Sequence, residues 1–298
     1  MINGMQFIIH LPAINVEFPS NAMVVVKKIL LVATFDIPYV TMESLPKVFP
    51  LPTDDDILIR DDQQNIKASF DELGYGSAYS SNNLGSVYIL ALIIGFGLIL
   101  SVLLSCCTRF TFARWLHTKI KNALYWNFVI RFILEAALEI SFCAYFNFYY
   151  GEFKIRIFGS WFNYVSMGIM TSCLVLLPFF ILDFYLATNF YKIDSEDFEA
   201  KYGSVYEGLK KDKKLSLIYP VYFIIRRMLF MCISMFMYKC VIIQILLMLL
   251  ITMVEIIYII EVQPFDEPLI NHLEIVTECF TLILIDLTYF FTPLCDRV

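Results

Sequence analysis

The chain has little charge, few histidines and none of the short motifs that carry common chemistry. Charged residues make up 17% of its 298 positions, and histidine occurs three times. It contains no HExxH, no GxxxxGK[ST] phosphate loop, no GxGxxG and no GxSxG nucleophile elbow. Such motifs place metal ligands, phosphate-binding amides or an activated serine. We therefore expect no catalysis, no cofactor and no metal site.

Nucleic-acid binding has no support either. The sequence pI is about 5.1, and no RNP, zinc-finger or basic-region pattern occurs. Proteins that bind nucleic acid usually present a basic stripe or one of these modules. We expect no nucleic-acid partner.

The eight cysteines include no CxxC pair, and most lie within or at the ends of apolar stretches. In such places cysteine packs as a small hydrophobe, and disulfide frameworks belong mainly to small secreted domains. We predict no disulfide network. Cys106 and Cys107 precede a basic loop, where reversible palmitoylation is one interpretation and packed thiols are the other.

What the chain has is long apolar stretches without polar–apolar alternation. Hydrophobic residues make up 59% of the sequence. A helix rises ~1.5 Å per residue, so ~20 apolar residues cross the ~30 Å hydrocarbon core of a bilayer. Without alternation these stretches do not fit a transmembrane barrel, and helices are the remaining spanning structure. The sequence predicts an all-α, polytopic transmembrane helix bundle of about six spans. They lie near 87–106, 124–145, 164–186, 217–238, 241–262 and 273–294.

The chain divides into two parts by composition. Residues 1–85 are polar, proline-containing and acidic in places, and we interpret them as an extracytoplasmic N-terminal arm and linker. Within the arm, Asn21–Thr34 has enough apolar residues for an interfacial or packed helix. Residues 86–298 form the predicted bundle.

Basic residues predict the orientation of the bundle. Lysine and arginine collect in loops 108–123 and 188–216, and cytoplasmic loops are the ones enriched in these residues. Both loops are therefore predicted to be cytoplasmic, with the N-terminal arm outside. No Asn-x-Ser/Thr acceptor occurs, so an outside arm would carry no N-glycan.

Ionisable residues in or near the predicted spans are the candidate functional residues, because charge at bilayer depth is costly and usually marks a pathway or an interhelical pair. They form an intramembrane charge network that is either structural or an ion path. One interpretation pairs Glu139 or Glu255 with Arg226 or Arg227 across helices. The other has the excess carboxylates line a cation path. The set is Arg131, Glu135, Glu139, Asp183, Arg226, Arg227, Glu255, Glu278 and Asp286.

Three of these residues share the second predicted span. Arg131, Glu135 and Glu139 are spaced four apart, which puts them on one helix face. Arg131 and Glu135 can then pair along the helix, which leaves Glu139 to reach a neighbouring helix.

Several local phrases are more specific than hydropathy. They are Met1-Ile-Asn-Gly-Met-Gln-Phe-Ile-Ile-His-Leu-Pro, Phe35-Asp-Ile-Pro-Tyr-Val, Arg131-Phe-Ile-Leu-Glu, Tyr202-Gly-Ser-Val-Tyr-Glu-Gly, Arg226-Arg-Met-Leu-Phe, Gln263-Pro-Phe and Asn271-His-Leu-Glu-Ile-Val-Thr-Glu. Together they resemble the C-terminal multi-pass region of large ciliate-type surface proteins, whose ectodomains carry cysteine-rich, furin-like or growth-factor-receptor-like repeats. The second half also resembles, remotely, fungal transient-receptor-potential-like membrane regions.

The resemblance implies a multi-pass membrane module of a surface protein, which anchors and signals in the plasma membrane without catalysis. The alternative is a transient-receptor-potential-like cation channel or channel subunit. Expected partners are the lipid bilayer and either further copies of the chain or other membrane subunits.

Overall fold

The computed structural model is helical throughout the residues that it describes. These are residues 2–14, 18–33, 79–106, 111–123, 128–149, 158–182 and 205–291, with the single positions 16, 70, 73, 75, 193, 195, 199, 202 and 203. No strand occurs within these ranges, which hold one isolated antiparallel bridge between Leu209 and Phe265. The predicted all-α class is confirmed for them.

Nine helices of eight or more residues lie in the described part. They are α1 (Ile2–Ile9), α2 (Ser20–Ala33), α3 (Gly85–Cys106), α4 (Thr111–Ala123), α5 (Val129–Tyr149), α6 (Phe158–Leu182), α7 (Tyr219–Phe236), α8 (Val241–Val262) and α9 (Pro268–Thr288). Short helical turns at Ser80–Asn83 and Lys214–Leu217 precede α3 and α7.

Four helices are long and apolar enough to cross a membrane: α3, α6, α7 and α8. The predicted limits of α8, residues 241–262, agree with the structure. Helices α5 and α9 correspond to the other two predicted spans and have 21 residues each, but each carries three charged side chains, one more than any of the four. Four candidate spans therefore stand, and six are not confirmed.

The outward faces of these helices are strongly apolar. Phe96 of α3, Leu176 of α6, Leu246 of α8 and Val276 of α9 are each more than 60% exposed. A water-soluble protein rarely exposes continuous apolar faces of this kind. The surface is compatible with lipid as the solvent.

Helix ends follow from proline and from turn chemistry. Pro264 lacks a backbone N–H and cannot continue α8, which ends at Val262 with Gln263 in the left-handed region (φ 48°). Pro268 stands in the first turn of α9, where its missing N–H costs nothing. Asn271 then fastens the α8–α9 turn, because its side chain accepts from the Phe265 N–H at 3.1 Å and donates to the Phe265 carbonyl at 2.9 Å.

The beginning of the predicted N-terminal arm does not lie apart from the bundle. The Phe7 and Phe230 rings are 4.4 Å apart, and the His10 ring stacks on Phe142 at 5.5 Å. Leu11 and Ile14 are also buried. Helix α1 therefore packs among α5, α7 and α9, while most of residues 34–78 lies outside the described residues. The predicted helix at 21–34 is present as α2 (Ser20–Ala33).

Candidate functional site: a buried ionic cluster

The candidate site is built around two adjacent arginines in the middle of α7. Arg226 and Arg227 are only 8% and 4% exposed. Adjacent residues on a helix point about 100° apart, so the two guanidinium groups meet different neighbours. Burial of a charge is costly unless it is paired and hydrogen-bonded. The contacts of each arginine therefore determine whether it stabilises the bundle.

Arg226 forms a two-point ion pair with Glu278 of α9. Its Nη1 donates to Oε1 at 2.8 Å and its Nη2 donates to Oε2 at 2.5 Å. Parallel two-point pairing suits the planar guanidinium and is among the strongest hydrogen-bonded arrangements in proteins. Glu255 of α8 adds a carboxylate 3.8 Å from Nη1. Arg226 of α7 therefore forms ion pairs with carboxylates from both α8 and α9.

Arg227 has a different and largely neutral environment. Its Nη2 donates to Oε1 of Gln6 at 3.1 Å, and its guanidinium carbon lies 3.4 Å from the centre of the Phe223 ring. Gln6 in turn donates to the Glu135 carbonyl at 3.2 Å. Among the described residues no carboxylate lies within ion-pair distance of Arg227. Its contacts are an amide and an aromatic face, which supports a cation–π interaction.

Helix α1 completes the cluster. The guanidinium carbon of Arg226 lies 4.5 Å from the centre of the Phe7 ring, and Gln6 contacts Arg227. Sequence reasoning missed both α1 residues, and also Glu274, which is buried one turn before Glu278. The available signal was a polar Gln6 between the apolar residues Met5 and Phe7. Hydropathy alone does not reveal which distant helix such a residue meets.

The other predicted residues lie away from this centre. Arg131 pairs with Glu135 at 3.0 Å, as its spacing predicts, and with Glu207 at 3.3 Å. Arg131 and Glu135 are exposed in the first two turns of α5, so their pairing does not belong to the buried cluster. Glu139 is half-buried and Asp286 is exposed on α9.

Two predicted positions, Asp183 and Cys107, lie outside the described residues. Cys106 is an exposed free thiol at the end of α3. Both interpretations of the Cys106–Cys107 pair therefore stay predictions.

His10 forms a separate buried polar link beside the cluster. Its Nδ1 lies 2.7 Å from the Gln6 carbonyl, which can only accept, so Nδ1 is the donor. Its Nε2, 2.9 Å from the Tyr75 hydroxyl, then accepts from that hydroxyl. The pKa of His10 is lowered to about 4, mainly by burial and in smaller part by the positive charge of Arg227, while the Gln6 hydrogen bond acts in the opposite sense. His10 follows α1 and lies outside the predicted spans.

The cluster joins α1, α7, α8 and α9 through ion pairs, hydrogen bonds and ring contacts. No group of three or more histidine, cysteine or acidic side chains placed to hold a metal ion occurs within the described ranges. No family model matches the chain, and no curated protein or solved structure is similar to it. The proposals for function therefore depend on the geometry and on the sequence patterns.

Proposed function

We propose that the chain is a multi-pass membrane module that anchors a surface protein in the plasma membrane and signals for it, without catalysis. The observation that carries the proposal is the pairing of Arg226 with Glu278, with Glu255 beside them. Charges that neutralise one another inside a helix bundle fix helix positions, whereas charges that serve a pore face water. The resemblance to ciliate-type surface proteins supplies the surface role.

The proposal includes an orientation and partners. The N-terminal arm is outside, and loops 108–123 and 188–216 are cytoplasmic because they are rich in lysine and arginine. The bilayer is the principal partner, and further copies of the chain or other membrane subunits would cover part of the apolar surface.

Membrane extraction and surface labelling test the anchoring role. The full chain should stay in the membrane pellet after alkaline carbonate treatment and should be labelled at the cell surface by an impermeant reagent. Glu278→Gln should reduce surface labelling, because it leaves Arg226 without its two-point partner. Asp286→Asn is the matched control, since it neutralises an exposed carboxylate of the same helix. Release of the chain by carbonate would contradict anchoring.

The second candidate is a transient-receptor-potential-like cation channel or channel subunit. It is favoured by Asp286, whose carboxylate is exposed on α9. Acidic side chains that face an ion path attract cations. Purified protein in planar bilayers should then conduct cations, and Asp286→Asn or Glu255→Gln should reduce the conductance. A conductance that these changes reduce would replace the anchor proposal, and an electrically silent parent would remove the channel proposal.

A further inference from the structure

A cavity of about 260 Å³ opens between the first turns of α5 and α7. It borders the buried cluster at Phe223, whose ring also contacts the Arg227 guanidinium, and the proposed function does not use it. Its wall combines three charged side chains with three aromatic rings. They are Arg131, Glu135, Glu207, Tyr219, Phe223 and Phe265.

The charged part of the wall has an excess of negative charge. Two carboxylates, Glu135 and Glu207, share the single guanidinium of Arg131 at 3.0 and 3.3 Å. The three side chains are 60%, 62% and 70% exposed, so a ligand in the cavity can reach them. The described lining side chains thus carry a net charge of −1, which favours a cation and disfavours an anion.

The aromatic part of the wall is held in place by the backbone. The rings of Tyr219 and Phe265 meet edge to face at 5.0 Å. Two backbone hydrogen bonds join the segment after Glu207 to the turn that carries Phe265. Lys210 N–H donates to the Pro264 carbonyl at 2.8 Å, and Asp266 N–H donates to the Gly208 carbonyl at 3.0 Å. Gly208 adopts φ 74°, a backbone conformation that residues with a Cβ rarely adopt. The backbone segments that carry Glu207 and Phe265 are therefore held next to each other.

We propose that this cavity binds an organic ammonium group. An alkylated ammonium is attracted both by a net negative charge and by the faces of aromatic rings, which is how aromatic cages recognise choline-like groups. A hard metal cation would instead need six or more oxygen ligands, and here rings occupy much of the wall. The ammonium could come from the headgroup of a membrane lipid or from a free solute.

Choline is the probe, and the full chain in lipid nanodiscs is the sample. Saturation-transfer NMR follows binding of choline and of its neutral carbon isostere, 3,3-dimethylbutanol, in phosphatidylglycerol discs. We expect saturable binding of choline and not of the isostere. Glu207→Gln and Phe265→Leu should each weaken it by about five- to tenfold. Arg131→Gln should tighten it, because the wall then carries one more net negative charge. Glu199→Gln is the matched control: this exposed carboxylate pairs with Lys211 and does not line the cavity.

Four outcomes of the choline titration would contradict the proposal. No saturable binding by the folded parent, equal binding of the isostere, or weaker binding by Arg131→Gln would each overturn it. Unchanged binding by both Glu207→Gln and Phe265→Leu would overturn it as well. Repeating the titration in phosphatidylcholine discs identifies the source. Loss of choline binding there supports a lipid headgroup as the occupant, and undiminished binding supports a free solute.

Discussion

At the scale of single residues, two neighbouring arginines differ in how their buried positive charge is compensated. Arg226 has a carboxylate at two-point distance, whereas Arg227 has an amide and a ring. Removing one partner of a buried ion pair leaves an uncompensated charge and costs about 3–5 kcal/mol, but replacing a costly buried charge with a similar apolar group can be neutral. Sequence reasoning treated both arginines alike, because hydropathy reports depth in a helix and not the direction of a side chain.

We therefore predict that Arg226→Met lowers the free energy of unfolding by about 3 kcal/mol and that Arg227→Met lowers it by about 1 kcal/mol or less. The first change removes the cation that pairs with buried Glu278 and Glu255, and the second removes only the donor to Gln6 Oε1. Thermal unfolding of both variants in the same detergent measures the difference. Equal losses would mean that Arg227 also neutralises a carboxylate.

The buried His10 predicts a dependence of stability on pH. Its pKa is lowered to about 4 from the ordinary value of 6.5, so the unfolded chain takes up this proton first as the pH falls. The contribution of neutral His10 to stability is then fully present above about pH 6.5 and is lost progressively toward pH 4. Between pH 7 and pH 5 the thermal midpoint of the parent should fall further than that of His10→Phe, in which the titrating group is absent. Parallel curves would show that His10 is not buried in its neutral form.

At the scale of elements, the sequence predicted the long helices better than it predicted the short one at the site. The long, mostly apolar run of α8 predicts its extent, and Pro264 accounts for its C-terminal end. Helix α1 has only eight residues, too few for a hydropathy pattern to separate it from a polar arm. Its contacts at the site include Glu135, Arg227 and Phe230, each more than 120 positions away. Contacts at that separation come from tertiary packing and leave no local periodicity to read.

Helix α1 should therefore contribute to the stability of the bundle. Phe7 is buried against Phe230 and lies beside Arg226, so Phe7→Ala should lower the free energy of unfolding by about 3 kcal/mol through lost burial and a cavity. Val24→Ala on the exposed face of α2 is the control and should change it by less than about 0.5 kcal/mol. The rate at which a thiol reagent modifies Cys143, which is fully buried, gives a second readout. If Phe7→Ala behaves like the control, α1 does not pack in the bundle.

At the scale of the whole molecule, we predict that α5 and α9 cross the bilayer together with the four apolar helices. A helix of 21 residues is ~31 Å long at ~1.5 Å per residue, which matches the hydrocarbon thickness. The charges of α5 do not prevent a crossing, because Arg131 and Glu135 lie in its first turns and pair with each other. In α9, Glu278 is neutralised by Arg226. The pairs Arg131–Glu135 and Arg226–Glu278 thus lower the cost of a crossing for both helices, whereas Asp286 stays exposed on α9.

Introduced glycosylation sites decide the number of crossings, because the chain has no Asn-x-Ser/Thr acceptor of its own and so no background signal. Inserts with one acceptor are placed in loop 107–110 and in loop 150–157, on either side of α5, and in the turn 263–267 and after position 291, on either side of α9. If both helices cross, one insert of each pair is glycosylated and the other is not. The predicted orientation requires modification at 150–157 and after 291. Equal modification within a pair would place that helix on one side of the membrane, and a reversed pattern would place loop 108–123 outside. Six crossings follow only if both pairs differ, since α5 and α9 carry three charged side chains each, more than any of the four candidate spans.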